Sequence, residues 1–238
     1  MSAGSVAIDV CSDGFLRHRP DHSVVAIDVF RAATTAITAV ALGRPCYPVA
    51  SLESAEKLRR MLSDPLLCGE LGGSMPSAFD VQNSPAELSS RADVHWPLVL
   101  LSSNGTHLMT AAAARHPHVF VACLRTMAAQ AEALREHRRV LILAARTHGQ
   151  FREEDQLCAA WIAERLVASG HVPADDLTAR LVERWRGSPL DVLREGRSAA
   201  YLTATGQAAD LEFVLDHVDD LRRSFRLERG KVVAAPKD

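Results

Sequence analysis

Asp28 and Arg31 stand three residues apart where a continuous apolar run, residues 24–29, gives way to an Ala/Thr-rich stretch. A carboxylate at the end of a buried strand is costly unless it is paired or metal-bound. An arginine in the first turn of the following helix opposes the helix dipole, a placement that suits a residue facing an anion. Thr34 and Thr35 add hydroxyls nearby. The structural alternative is an aspartate that caps the helix with the arginine bridged to it. Ser102-Ser103-Asn104-Gly105-Thr106 forms a second strand-to-helix turn, whose free N–H groups and hydroxyls suit a phosphate or sulfonate. An ordinary Asn-Gly turn with an N-cap reads the same way. Glu153-Glu154-Asp155 opens a long helical pattern, where acidic residues also occur for electrostatic reasons alone. With Asp28, and with Glu70 and Asp80 from a glycine-bearing stretch, they form a carboxylate set. Mg²⁺, which takes one or two protein carboxylates plus water and substrate oxygens, fits such a set.

Short β-rich runs alternate with helical patterns, the signature of an α/β sheet. Strands are expected at residues 6–10, 24–29, 46–49, 98–101, 119–123 and 140–144. Helices are expected at 31–42, closed by Gly43; at about 51–62, capped by Ser51; and at 107–115, 126–136 and 152–168. Residues 68–85 read as a loop, of a length that usually marks function. From Asp175 onward the pattern is helical, with a last short strand at 225–234. The expected fold is a three-layer α/β/α arrangement with a largely parallel central sheet and a helical C-terminal part. Residues 1–238 read as a single domain, with two lobes meeting near residue 140 as the alternative. In open parallel sheets ligands bind outside the carboxyl ends of the strands, which is where Asp28 falls.

Composition narrows the class. The chain has 238 residues, 47% hydrophobic and 24% charged, with a net charge of −2, so no basic face points to a nucleic-acid or membrane partner. The N-terminus lacks the pattern of a secretory signal, and no apolar run approaches the ~20 residues of a membrane span. Cys11, Cys46, Cys68, Cys123 and Cys158 are odd in number, widely spaced and set in apolar runs. That favours small buried hydrophobes in a reducing cytoplasm over a disulfide framework. The histidines form no ligand motif; His18, His22, His116 and His118 read as solvated loop residues. Lys57, Lys231 and Lys237 are the only lysines, and Phe30 stands where D-x-D would need a second aspartate. A haloacid-dehalogenase-type phosphatase therefore lacks its lysine and its motif, and no Walker lysine loop exists.

Five ordered blocks resemble the 2-phosphosulfolactate phosphatase family. Ile27-Asp28-Val29-Phe30-Arg31-Ala32 resembles that family's IDVLRAT, and Gly69-Glu70-Leu71-Gly72-Gly73 its GERGG. Residues 79–85, with Asn83, are similar to GFDxGNSP; residues 102–106 to TTNGT; and residues 150–159 to GxFSLEDxLCAG. The resemblance covers about residues 24–160. It implies a Mg²⁺-dependent phosphatase acting on a small phosphorylated hydroxy acid, 2-phosphosulfolactate to sulfolactate and phosphate, in coenzyme M biosynthesis. By that reading Asp28 and Arg31 are catalytic. Thr34, Thr35, Asn83, Ser103, Asn104, Gly105, Thr106 and Arg146 bind substrate, and Asp28, Glu70 and Asp155 hold the metal. Leu71 stands where GERGG has arginine, Arg146 where a glycine is usual, and Thr126 where an asparagine is expected; Arg146 is read as restoring the charge lost at Leu71. These departures motivate an alternative, a small-anion binding protein that keeps the fold without turnover. The assembly, a homodimer among the options, has no signal in the sequence.

Overall fold

The computed structural model describes residues 3–10, 21–147 and 150–235. The chain is α/β with a ten-stranded, mostly parallel sheet. Its first half is built from β1 (Ser5–Val10), β2 (Ser23–Ile27), β6 (Val119–Ala122), β7 (Arg139–Ala144) and β10 (Val172–Pro173). These run parallel in the order β10-β1-β7-β2-β6. The second half is β3 (Cys46–Val49), β5 (Leu98–Leu101) and β4 (Leu66–Gly69), also parallel among themselves. A C-terminal hairpin, β11 (Phe225–Glu228) and β12 (Lys231–Ala234), joins the halves through antiparallel pairings.

β2 lies between β7 and β6 and is buried along its whole length. A strand covered on both faces must be apolar without alternation, which is why residues 24–29 read as a continuous run. Val25 and Ile27 face a core formed with α5 (Met127–Ala133), α6 (Glu153–Ala168) and α7 (Asp176–Trp185). Val24 and Ala26 face the other side, where α1 (Ala32–Ala41) and α4 (Gly105–Ala113) pack. Cys46, Leu66, Leu98 and Leu100 of the second half enter that same core, so both halves of the sheet close around α1 and α4. The small side chains of Ala32, Ala33, Ala36 and Ala39 allow this close packing, and all four are fully buried. α2 (Leu52–Met61) covers the opposite face of the second half through Ala55, with Ser51 capping it through a bond from Ser54 N–H.

Several expectations are corrected. Residues 66–69 form β4 rather than the start of a loop; the run is too short and glycine-bounded to show in the pattern, and its pairing to β5 makes it a strand. At Gly69, φ is +156° and an added Cβ would lie 2.1 Å from the Leu101 carbonyl oxygen, so only glycine fits there. Residues 85–89 form a short helix, α3 (Pro85–Ser89), capped by Ser84. α4 begins at Gly105, so Gly105 and Thr106 belong to the helix and not to the turn before it. Arg31 precedes α1 at its N-cap position instead of lying in its first turn. A strand pair, β8 (Arg146–Thr147) and β9 (Gln150–Phe151), replaces the simple turn; His148 and Gly149 fall outside the described residues. The C-terminal segment is a hairpin inside the sheet, not a single added strand. His116 is buried rather than solvated, His118 is exposed and His22 half-buried against Asp21, while His18 lies outside the described residues.

Cys46, Cys68, Cys123 and Cys158 are free and buried; Cys11 is outside the described residues. Burial pushes the Cys46 thiol up to about 12 and that of Cys123 to about 11, so both are protonated and unreactive at neutral pH. No described helix is long and apolar enough to cross a membrane.

Candidate active site

The chain after β2, β4 and β5 and at the start of α6 converges on one cavity of about 320 Å³. α8 (Arg197–Ala204) contributes a further wall. Asp28, Arg31, Glu70, Asn83, Ser103 and Asn104 all line this cavity, so sequence-distant candidates from four separate blocks come together.

Asp28 is the centre of the arrangement. Its Oδ1 accepts the Ala32 N–H at 3.1 Å and its carbonyl the Ala33 N–H at 3.0 Å, which fixes it at the start of α1. Asp28 therefore bonds the first turn of α1 and also borders the cavity, but Arg31 holds the N-cap position and pairs with Asp210 instead of bridging to Asp28. Gly105 crosses directly against it. A Cβ at Gly105 would lie 2.2 Å from Asp28 Oδ2 and 2.6 Å from the Ala32 Cβ, so glycine there lets the start of α4 reach the carboxylate. Burial pushes Asp28 up to about 6; the nearby Glu70 charge adds to the rise, while the Ala32 N–H and Arg31 oppose it.

Glu70 is held by three donors. Ser103 N–H (2.8 Å), Ser103 Oγ (3.0 Å) and Gly73 N–H (2.8 Å) all point at its carboxylate. Ser103 Oγ also accepts the Gly72 N–H at 2.7 Å, tying the glycine turn to the turn after β5. The Ser103 N–H is thus committed to Glu70, and Thr106 N–H to Ser102 Oγ. That leaves the N–H groups of Asn104 and Gly105 without a hydrogen-bond partner among the described residues. Asn83 is buried with its Oδ1 unpaired, although it borders the cavity.

Other expected site residues are placed elsewhere. Thr34 Oγ1 donates to the Val29 carbonyl at 2.7 Å, and Thr35 Oγ1 is buried without a partner; neither borders the cavity. α1 turns both toward the core, since its sides are buried between the two halves of the sheet. Thr106 is fully buried and bonds back to the Ser102 amide and carbonyl, holding the turn's shape. Asp155 does not line the cavity: it is buried behind it, with Oδ1 accepting the Val29 N–H at 2.8 Å. Its carboxyl is pushed well up by burial and by the charges of Glu154 and Asp28. Among the described residues, no three His, Cys, Asp or Glu side chains gather closely enough to hold a metal by themselves, so the trio Asp28, Glu70 and Asp155 is not a preformed chelate. Asp80 is exposed and accepts the Leu67 N–H, a structural bond. Leu71 is exposed on the glycine turn, between the lining residues Glu70 and Gly72, and Thr126 is buried in a helix cap; neither lines the cavity. The side chain of Arg146 lies outside the described residues.

The structure also brings in Asp210, Arg197, Ser198, Tyr201 and Leu202, which lie outside every motif block. Arg31 Nη1 donates to Asp210 Oδ2 at 2.5 Å, with both side chains buried. Asp210 also accepts from Ser84 Oγ at 2.5 Å and Ala86 N–H at 3.1 Å. It sits on α9 (Ala208–Asp216), 179 residues from Arg31, so no local spacing could reveal the pair. Glu154 accepts the Ser198 hydroxyl at 2.6 Å, and burial pushes it up to about 7. Arg152, Arg197, Ser198, Tyr201 and Leu202 complete the lining, and the Tyr201 hydroxyl donates to the Gly73 carbonyl at 3.3 Å.

Three neighbouring acids are thus raised: Asp28, Glu154 and Asp155. The folded chain keeps protons on them that the unfolded chain has released; the contribution of Asp28 and Glu154 to stability is fully present below about pH 4 and is lost as pH rises through about 6 to 7. Metal-free wild type is expected to lose roughly 3 kcal/mol relative to Asp28→Asn between about pH 4 and pH 8. Urea unfolding of both proteins over that range is the check; parallel curves would contradict it.

A profile of the 2-phosphosulpholactate phosphatase family matches residues 13–220. Among curated proteins, a probable 2-phosphosulfolactate phosphatase of Deinococcus radiodurans is 34% identical over 205 residues, covering 82% of this chain and 83% of that protein. One from Thermus thermophilus, of the same name, is 35% identical over 195 residues, covering 80% and 81%. One from Carboxydothermus hydrogenoformans is 29% identical over 221 residues, covering 92% of each. The match runs through the blocks that build the cavity and on into α9, and the chain belongs to the 2-phosphosulfolactate phosphatase family.

Proposed function

We infer that the protein hydrolyses the phosphate monoester of a small phosphorylated hydroxy acid, 2-phosphosulfolactate, to sulfolactate and phosphate, with Mg²⁺. The observation that carries this reading is Asp28: a buried carboxylate just past a strand end, bordering a small cavity, with the glycine start of α4 pressed against it. Family membership supplies the reaction and the substrate.

The donor set fits Mg²⁺. Asp28 and Glu70 both border the cavity, and two carboxylates suffice when substrate and water oxygens complete the shell. Asp28 is lifted in part by the Glu70 charge, and a cation between the two would relieve that repulsion. When bound, Mg²⁺ would neutralise phosphoryl charge as a Lewis acid. Arg31 contributes from the protein side: Asp210 fixes its Nη1, which leaves the rest of the guanidinium to face phosphoryl oxygens. The Asn104 and Gly105 N–H groups, at the positive end of α4, provide a second seat for those oxygens. Asp28 acts at phosphorus, as nucleophile or as the base that takes a proton from water. Asp155 does not touch substrate; its bond to the Val29 N–H holds the strand end that carries Asp28.

Phosphate release from 2-phosphosulfolactate tests this directly. Turnover is expected with Mg²⁺, falling at least about tenfold on chelation and returning when Mg²⁺ is restored. Tight binding of 2-phosphosulfolactate with no release under any of these conditions would overturn the reading in favour of an anion-binding protein.

A further inference from the structure

The geometry points to Arg152 as the residue that selects the substrate's non-phosphate acid group. This rests on the reaction proposed above but concerns a residue that neither the family's motifs nor the catalytic reading requires. Three arginines border the cavity: Arg31, Arg152 and Arg197. Arg31 is already matched by Asp210. Arg197 is exposed, donates to Gln150 Oε1 and lies 3.5 Å from Glu153. The Arg152 side chain makes no hydrogen bond and no ion pair among the described residues, and its Nε is buried without a partner there.

A half-buried guanidinium with an unused donor is costly unless an anion completes it. The cavity's own carboxylates do not complete it. Glu70 is engaged by the amides and hydroxyl of Gly73 and Ser103, and Asp28 by the Ala32 N–H; neither is bonded to Arg152. Glu154, outside the cavity lining, accepts the Ser198 hydroxyl. Arg152 lowers Asp155 through charge alone, without a bond to it. The phosphate's seat is built by other parts of the chain, the ends of β2 and β5. Arg152, by contrast, enters from the junction of β9 and α6, beside α8. A substrate carrying phosphate and a second acid group would span the two. A planar guanidinium pairs with a sulfonate or carboxylate through two parallel N–H bonds, and a neutral alcohol in that place would leave it unpaired. Sites built to pair a polar group reject analogues that lack it far more strongly than apolar pockets reject a missing methylene.

The test compares the whole enzyme with its Arg152→Ala and Arg152→Lys forms on two esters, 2-phosphosulfolactate and glycerol 2-phosphate, the second bearing no acid group besides phosphate. Arg152→Ala is expected to raise KM for 2-phosphosulfolactate by about tenfold to a hundredfold, with kcat within about threefold, and to leave KM for glycerol 2-phosphate unchanged. Lysine should restore part of the loss. Calorimetric binding of sulfolactate should weaken in parallel, and matching thermal melts exclude misfolding. An equal change on both esters, or a fall in kcat alone, would overturn the assignment and make Arg152 a charge balance for Asp155. If wild type turns over neither ester, the proposed reaction fails; Arg152 then stands only if wild type binds sulfolactate and Arg152→Ala does not.

Discussion

Asp28→Asn is expected to reduce phosphate release by about a thousandfold or more in a protein that folds normally. Asparagine keeps the shape and retains an oxygen for the Ala32 N–H bond that starts α1, so the local backbone has no reason to move. What it removes is the negative charge, and with it the capacity to attack phosphorus, to take a proton from water or to bind a cation. The charge is also costly in its buried setting, as its raised position near 6 shows, so the same variant should be at least as stable as wild type at neutral pH. Loss of activity with gain of stability is the signature of a functional residue. Steady-state phosphate release and thermal melts on one preparation are sufficient. If Asp28→Asn retained wild-type turnover, the assignment of Asp28 to the chemistry would fail. Acid quenching of wild type during turnover separates its two roles, because a phosphorylated Asp28 is formed only by direct attack.

Asp210→Ala is expected to destabilise the fold by about 3–5 kcal/mol, the cost of leaving a buried cation unpaired. Arg31 is 5% exposed and Asp210 2%, so water cannot replace the lost partner in the folded state. The substitution also strips the acceptor from Ser84 Oγ and the Ala86 N–H, loosening the start of α3. Ser84, the cap of α3, follows directly on Asn83, so the cavity wall is disturbed as well. Denaturant unfolding gives the magnitude, and the double variant Arg31→Met/Asp210→Leu identifies the cause. It removes both charges, so it should recover most of the stability while remaining inactive, because Arg31 would no longer face the phosphoryl oxygens. A single variant as stable as wild type would show that the pair is not a supporting element of the site.

Much of the site was legible because its parts obey local rules. Asp28 could be placed from β2 alone, since a run apolar at every position must be covered on both faces and must end where the next helix begins. Ser103, Asn104 and Gly105 were visible as a strand-to-helix turn, and Glu70 as an acid among glycines. The side chains of Thr34, Thr35 and Thr106 were misplaced because spacing along the chain does not say which face of a helix meets the core; packing of α1 and α4 inside the closing sheet decided that. Asp155 was read as a metal ligand, but its bond to the Val29 N–H sets it outside the cavity lining.

Asp210, Arg197, Ser198 and Tyr201 were invisible, since each lies on a C-terminal helix with an ordinary amphipathic pattern and acquires its role only across the fold. The placement of Asp28 just past the end of β2 was therefore determined by the sequence alone, because burial of the strand is a local property of the chain. What neutralises Arg31, what walls the cavity and which arginine is left without a partner were decided by tertiary structure. A charge is paired by whatever lies nearest in space, and here that partner is 179 residues away.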